Sequence, residues 1–449
     1  MSKYQQFFKW EDFSVEQFFI YFAFATVLAL YLTIKSNSKY KIELFFLCFY
    51  LLTGNYNDLL LIKIPGFNLF KIPPIRFIYL MLLFLIIRKT WFRKIKRELV
   101  MPKTIPWFEV ALYAYVILLS ISIFVNTFPQ GFKVILDAAA FIIIIKALRL
   151  MADKPSYDLI GKTIIIGAVI STIISLAQLT IDPYFLRIGD NRGAFGGVLR
   201  SNGIFGAEYY NGYYLIIAIA WTLVTVKKDT LKIALVTLFS IGVITTFMRM
   251  SWLILGLVLV TYLLFIRKTA ITKLVLLAMA GFTIVLSVSI FYYRDIMNSS
   301  LVKERLTQQV DGRKGYYAMV FDNIGDRPFF GYGDLKNKVY YENLLRITKD
   351  RDRAAANTGG IHSGYFTSLF LYGVPAFICF TLFVLLSTIY YSKSFKHNLY
   401  FVIPFLVSII YLIGNLTNTF LFITYLSVLY AMHMGIGMGI NKIEEEANA

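Results

Sequence analysis

The chain has 449 residues, 58% of them hydrophobic and 16% charged, with 45 lysines and arginines against 26 acids for a formal net charge of +19. A soluble protein of this length carries more charge and interrupts its apolar runs with turn signals, whereas here the runs repeatedly reach the ~18–20 residues that cross a bilayer. Composition therefore excludes a soluble fold, and two cysteines with three histidines leave almost no room for a disulfide scaffold or a thiolate or histidine metal site. The basic residues are not a nucleic-acid footprint, because they concentrate in short loops between apolar runs, as topology signals do. At those positions they also attract anionic lipid headgroups.

In chain order, spanning segments are predicted at 16–34, 42–53, 75–87, 106–125, 132–148, 163–181, 211–226, 231–247, 251–266, 273–291, 363–391, 399–414 and 419–438. The stretch 18–34 is flanked by acids and lysines and lacks a small-residue cleavage site, so it reads as an anchor rather than a signal peptide. Residues 54–74, with Pro65, Gly66, Pro73 and Pro74, could include a re-entrant turn. The expected fold is all-α and polytopic, with about 12–13 transmembrane helices and one long extracytoplasmic loop containing short helices. Its organisation is 1–291, spanning helices with short loops and a Gly/Arg outer loop near 182–210; 292–361, the long loop; and 362–449, the C-terminal spanning helices. No internal repeat is visible, which counts against inverted-repeat transporter folds.

Orientation follows from the short loops. Residues 88–103 contain Arg88, Lys89, Arg93, Lys94, Lys96, Arg97 and Lys103 against the single acid Glu98, a cytoplasmic signal. Counting helices onward puts 149–162, 227–232, 267–273 and 392–398 on the same side, and 126–131, 182–210, 248–250 and 292–361 outside. Long loops translocate largely regardless of charge, so the basic long loop fits this assignment. His362 then faces outward, His397 falls in a cytoplasmic loop and His433 lies in the last helix.

Three arginines of the outer face need explaining. Arg200 lies in Gly196-Gly197-Val198-Leu199-Arg200-Ser201-Asn202-Gly203-Ile204-Phe205-Gly206, a glycine-rich stretch before a helix. It reads either as a loop whose backbone approaches an anionic ligand at a helix N-terminus or as a surface loop with a solvated arginine. Arg249 sits in Thr246-Phe247-Met248-Arg249-Met250-Ser251-Trp252, a tight turn near the hydrocarbon boundary. An arginine so placed pairs or lines a polar cavity, or else snorkels to headgroup phosphates.

Arg313 opens a predicted amphipathic helix over 311–325, with Asp311 as N-cap and Tyr316, Val320 and Ile324 on one face. That face suggests a helix lying on the membrane; Arg313 on its first turn reads first as an ordinary exposed charge, and alternatively as a group that reaches toward the other two arginines. The helix stops at Gly325-Asp326-Arg327-Pro328, followed by Phe329-Phe330-Gly331-Tyr332-Gly333. His362 follows Gly359-Gly360-Ile361 and precedes Ser363-Gly364-Tyr365-Phe366. A single histidine is commonly structural, but this one enters a helix after a glycine pair and beside an arginine-rich segment. That placement suggests acid/base chemistry on an anionic, lipid-linked substrate.

Taken in order, R-x-x-G-x-F before a helix, a T-x-x-R turn with a nearby tryptophan, the Gly312-Arg313 helix ending in Pro328-Phe329-Phe330-Gly331-Tyr332-Gly333, and His362-Ser363-Gly364-Tyr365 with Leu371-Tyr372-Gly373-Val374 resemble the O-antigen ligase and polymerase superfamily. The resemblance covers about 190–375 by motif and the whole chain by topology. The sequence departs from the pattern at Ser363, where the family commonly has asparagine, and at Met248, where a serine usually precedes the arginine.

The resemblance implies a GT-C-like glycosyltransferase of the bacterial cytoplasmic (inner) membrane. Its donor would be an undecaprenyl-diphosphate-linked glycan, used on the extracytoplasmic face with no metal and no cofactor. It also implies His362 as general base and Arg200, Arg249 and Arg313 as ligands of the donor diphosphate. This fits the physics: guanidinium groups bind a developing diphosphate bidentately, and a near-neutral imidazole suits proton removal from a hydroxyl. The partners are then the donor, a glycan or lipid-linked acceptor and membrane lipids, with no nucleic acid. A polymerase joining repeat units is the first reading, and a ligase passing finished glycan to another acceptor keeps the chemistry. A lipid-linked oligosaccharide flippase would need charges near the bilayer midplane, for which Asp137 is the main candidate, and a non-catalytic scaffold is a further alternative.

Overall fold

The structure, a computed structural model, describes residues 15–54, 85, 105–128, 131–187, 200–265, 315–333, 342, 361–394, 399–421 and 425–448. The described residues hold helices and turns, with no strand among them. The helices are α1 (Val15–Lys35), α2 (Lys41–Thr53), α3 (Trp107–Asn126), α4 (Phe132–Leu150), α5 (Lys154–Thr180), α6 (Glu208–Thr225), α7 (Asp229–Thr245), α8 (Arg249–Phe265), α9 (Gly364–Ser394), α10 (Val402–Thr417) and α11 (Tyr425–Asn448). A helical stretch at 315–324 and a 3₁₀ turn at Leu399–Phe401 complete the set. By length and apolar composition Gln17–Lys35, Trp107–Asn126, Lys154–Thr180 and Gly364–Ser394 can each cross a membrane, and shorter apolar helices run over Arg249–Leu263, Val402–Thr417 and Tyr425–Ile440. Large apolar side chains on α1 and α3 stay exposed, among them Phe19, Ile20, Val27, Ile117, Phe124 and Val125. A soluble protein rarely leaves such faces uncovered, and a bilayer covers them. The fold is that of an all-α polytopic membrane protein.

The chain forms two compact units, one from 1–99, 145–289 and 433–449, the other from 100–144 and 290–432. In the first, α5 packs against α2, α6 and α7, and α8 packs against α6 and α7. Glycines let α5 approach α6 closely: a Cβ on Gly161 would sit 2.3 Å from the Trp221 ring, and one on Gly167 would sit 2.3 Å from the Tyr214 hydroxyl. Small residues serve helix packing in this way where lipid supplies no hydrophobic drive. Trp221 Nε1 also donates to Nε2 of the fully buried His433 at 2.8 Å. In the second unit α9 packs along α3 and against α10.

Most predicted spans match helices within a few residues, and the differences have local causes. The segment expected at 163–181 starts at Lys154, because Pro155 in the first turn of α5 suits a helix start and hydropathy does not register a polar first turn. The last span does not begin near 419, since Phe420 N is held by the Asn415 side chain at 3.1 Å outside any helix. The span at 273–291, nearly all of 75–87, the basic loop 88–103 and the turn region 55–74 lie outside the described residues.

Candidate functional site

The first unit positions Arg200 and Arg249. Arg200 opens a short irregular segment leading into α6, and side chains from neighbouring helices fasten that segment. Gln178 Oε1 on α5 accepts from the amides of Asn202 (2.9 Å) and Gly203 (3.1 Å), and Ser171 Oγ accepts from Ile204 N at 3.2 Å while donating to Asn211 Oδ1 at 2.8 Å. Gly203 has φ +56, and a Cβ there would lie 2.1 Å from Ser171 Oγ, so the R-x-x-G spacing places glycine where the backbone requires it. At the C-terminus of α7, Thr245 bonds Ser201 through both backbone (3.2 Å) and hydroxyl (2.7 Å). The Arg200 segment and the Arg249 turn are therefore tied to the same end of this unit.

The Arg200 guanidinium meets Glu208 on the first turn of α6: Nη1 donates to Oε1 at 2.9 Å, with the arginine side chain 18% exposed and the glutamate 4%. Arg187, itself buried, donates to the Arg200 carbonyl and, at 3.1 Å, to that of Pro183. A carboxylate in the first turn is favoured by the helix dipole as well as by its arginine.

Arg249 is exposed as the first residue of α8. Its turn is shaped by Phe247 at φ +50, by Thr246 Oγ1 donating to Val243 O at 2.7 Å, and by Trp252 Nε1 reaching back to the same carbonyl at 3.2 Å. The tryptophan near the T-x-x-R turn is thus a brace between α7 and α8.

The second unit positions His362. Its backbone is left-handed, φ +54, an uncommon region for a non-glycine residue that surrounding structure must enforce. Ser363 Oγ donates to Asn415 O at 3.1 Å and Gly364 N to Asn418 O at 3.0 Å, so the end of α10 holds the residues that follow the histidine. A Cβ at Gly364 would fall 1.9 Å from Asn415 Oδ1. Ser363 thus serves as a backbone anchor, and the Asn415 amide stands close by on α10. The half-buried imidazole meets the Tyr316 ring edge to face, centroids 5.7 Å apart, and burial raises the Tyr316 phenol above its ordinary pKa.

The predicted helix is helical over 315–324 and stops at Gly325 as expected; residues 311–314, including Arg313, lie outside the described residues. Its Tyr316–Val320 face is buried in the protein rather than laid on a membrane surface, because that face packs beside His362. Tyr317 and the exposed Phe321 meet Phe366, at 4.6 and 5.6 Å between centroids.

The turn after this stretch plugs a kink in α9. Gly373 is non-helical at φ +85, two residues before Pro375, and the carbonyls and amides freed there pair with the turn. Val374 N donates to Pro328 O (2.7 Å), Tyr332 N to Phe370 O (3.0 Å) and Gly333 N to Leu371 O (2.7 Å). Ser122 and Asn126 at the end of α3 complete the lock: Ser122 Oγ contacts Leu371 O at 3.0 Å, and Asn126 Nδ2 contacts Phe330 O at 3.2 Å. Asn126 Oδ1 accepts from Arg327 at 2.8 Å. P-F-F-G-Y-G and L-x-x-x-G-V are therefore two halves of one structural joint.

Sequence reasoning missed Glu208, Arg187, Ser122 and Asn126. An acid opening a spanning segment eight residues after Arg200 was a legible signal for the first; the others are recognisable only through contacts distant in sequence.

Fold and site together define a polytopic all-α membrane protein with a restrained histidine at the head of one helix and arginines flanking others. Residues 233–381 match the family model described as O-antigen ligase. The match supports the O-antigen ligase and polymerase superfamily, and with it a glycosyltransferase-like activity on lipid-linked glycan and acceptor substrates. No curated protein matches the chain.

Proposed function

We propose that the protein is a glycan polymerase acting on the outer face of the cytoplasmic membrane of a bacterium, extending undecaprenyl-diphosphate-linked oligosaccharide. The observation that carries this reading is that the matched stretch 233–381 contains the Arg249 turn, Arg313, the 328–333 joint and His362, the last in an enforced left-handed conformation. In the reaction an acceptor hydroxyl attacks the anomeric carbon, the bond from that carbon to the diphosphate oxygen breaks, and polyprenyl diphosphate leaves with the bonding electrons. His362 takes the hydroxyl proton, and Arg200, Arg249 and Arg313 bind the charge that develops on the leaving group, a stabilisation fixed guanidinium groups supply well. The description of the matched family as an O-antigen ligase favours a second reading, in which finished glycan passes to a different acceptor. Incubating the purified protein with an undecaprenyl-diphosphate-linked repeat unit separates them. A polymerase yields a ladder of longer lipid-linked glycans from that substrate alone, a ligase needs the second acceptor, and no glycan transfer in either format refutes both.

A further inference from the structure

We propose that Glu208 is a positioning residue for the donor diphosphate, acting only through Arg200; this rests on the reading of Arg200 given above. The backbone of Arg200 is held by Ser201, bonded to Thr245, and by Arg187 on its carbonyl. Those contacts hold the backbone only, and Glu208 restrains the guanidinium at 2.9 Å. Glu208 sits on the first turn of α6, a rigid element whose register is set by the Asn211 bonds to Ser171 and Ser175. The pair is asymmetric, with the carboxylate nearly fully enclosed and the guanidinium partly open. Arg200 spends one Nη1–H on Glu208; its Nη2 has no protein acceptor among the described residues. A guanidinium anchored at one nitrogen presents the rest of its fork in a fixed direction, which is what bidentate recognition of a phosphate oxygen pair needs. A free arginine would lose its side-chain freedom at the moment of binding.

The test is a double-mutant cycle on the full-length protein in detergent, using undecaprenyl diphosphate as the binding probe and the lipid-linked repeat unit for transfer. Glu208→Gln keeps volume and a hydrogen-bond acceptor while removing charge, and Glu208→Ala removes both; size-exclusion profiles report folding. Glu208→Ala is expected to weaken probe binding and raise donor KM by roughly tenfold to a hundredfold, with acceptor KM unchanged, and Glu208→Gln by less. In an Arg200→Ala background neither substitution should cause further loss. If Glu208→Gln and Glu208→Ala bind the probe like wild type while Arg200→Ala does not, the inference fails and the reading of Arg200 stands. The inference is also overturned if the Glu208 losses persist undiminished without Arg200. If Arg200→Ala itself binds and transfers normally, the diphosphate role of Arg200 fails, and this inference with it.

Discussion

Replacing Gly373 with alanine should undo the joint that links α9 to the 328–333 turn. The residue has φ +85 and ψ 176, and a Cβ there would lie 2.4 Å from Phe329 O and 2.7 Å from Pro328 O, both backbone atoms that cannot swing aside. A positive φ combined with ψ 176 is a region reserved almost wholly for glycine, and it costs an ordinary residue about 1–3 kcal/mol. Displacing the turn also forfeits the hydrogen bonds from Val374, Tyr332 and Gly333, each worth about 0.5–1.5 kcal/mol net. Together the loss is about 3–7 kcal/mol, enough to release the turn from the helix. The assay is thermal unfolding of the purified protein in detergent, alongside transfer activity. The control is Gly325→Ala, a site with nothing within 4 Å of a new Cβ, where stability should hold or rise by up to about 1 kcal/mol. Gly373→Ala should melt several degrees lower and lose transfer, because the 315–324 stretch that contacts His362 rests on this joint. Equal melting of Gly373→Ala and wild type, or an equal fall in Gly325→Ala, would falsify the account.

Other perturbations separate local roles. Gly203→Ala combines a left-handed φ with a Cβ 2.1 Å from Ser171 Oγ, so it should disorder the Arg200 segment and weaken undecaprenyl diphosphate binding at least as much as Glu208→Ala; wild-type binding would show that the segment tolerates rearrangement. Trp221→Phe leaves the buried His433 Nε2 without its 2.8 Å donor and should cost about 1–3 kcal/mol of stability while transfer per folded protein is retained; a loss of turnover without a loss of stability would give this pair a functional part. His362→Gln keeps hydrogen bonding but cannot accept a proton, so transfer should fall roughly 10²–10⁴-fold with probe binding intact. Because a base acts only when neutral, wild-type transfer should rise with pH and then level off, and near-normal turnover of the Gln variant would refute the base assignment.

The sequence by itself determined the membrane class, the all-α architecture and most helix limits, because hydropathy and proline or glycine punctuation act over a few neighbouring residues. It also marked Arg200, Arg249 and His362 as residues to explain, and it read the stop at Gly325 correctly. It could not say what holds them. Glu208 grips Arg200 only once α6 has formed and the 200–207 segment has folded back, and Ser122, far from either half of the joint in sequence, meets Phe330 and Leu371 only when α3 lies along α9. The predicted amphipathic face turned inward for the same reason: periodicity shows that a helix has an apolar side, but whether lipid or protein covers it is decided by what packs there. For Tyr316 that neighbour is His362, 46 residues along the chain. Tertiary structure decided these points because packing and hydrogen bonding join residues by distance in space, whereas the signals read from sequence decay within a few turns of helix.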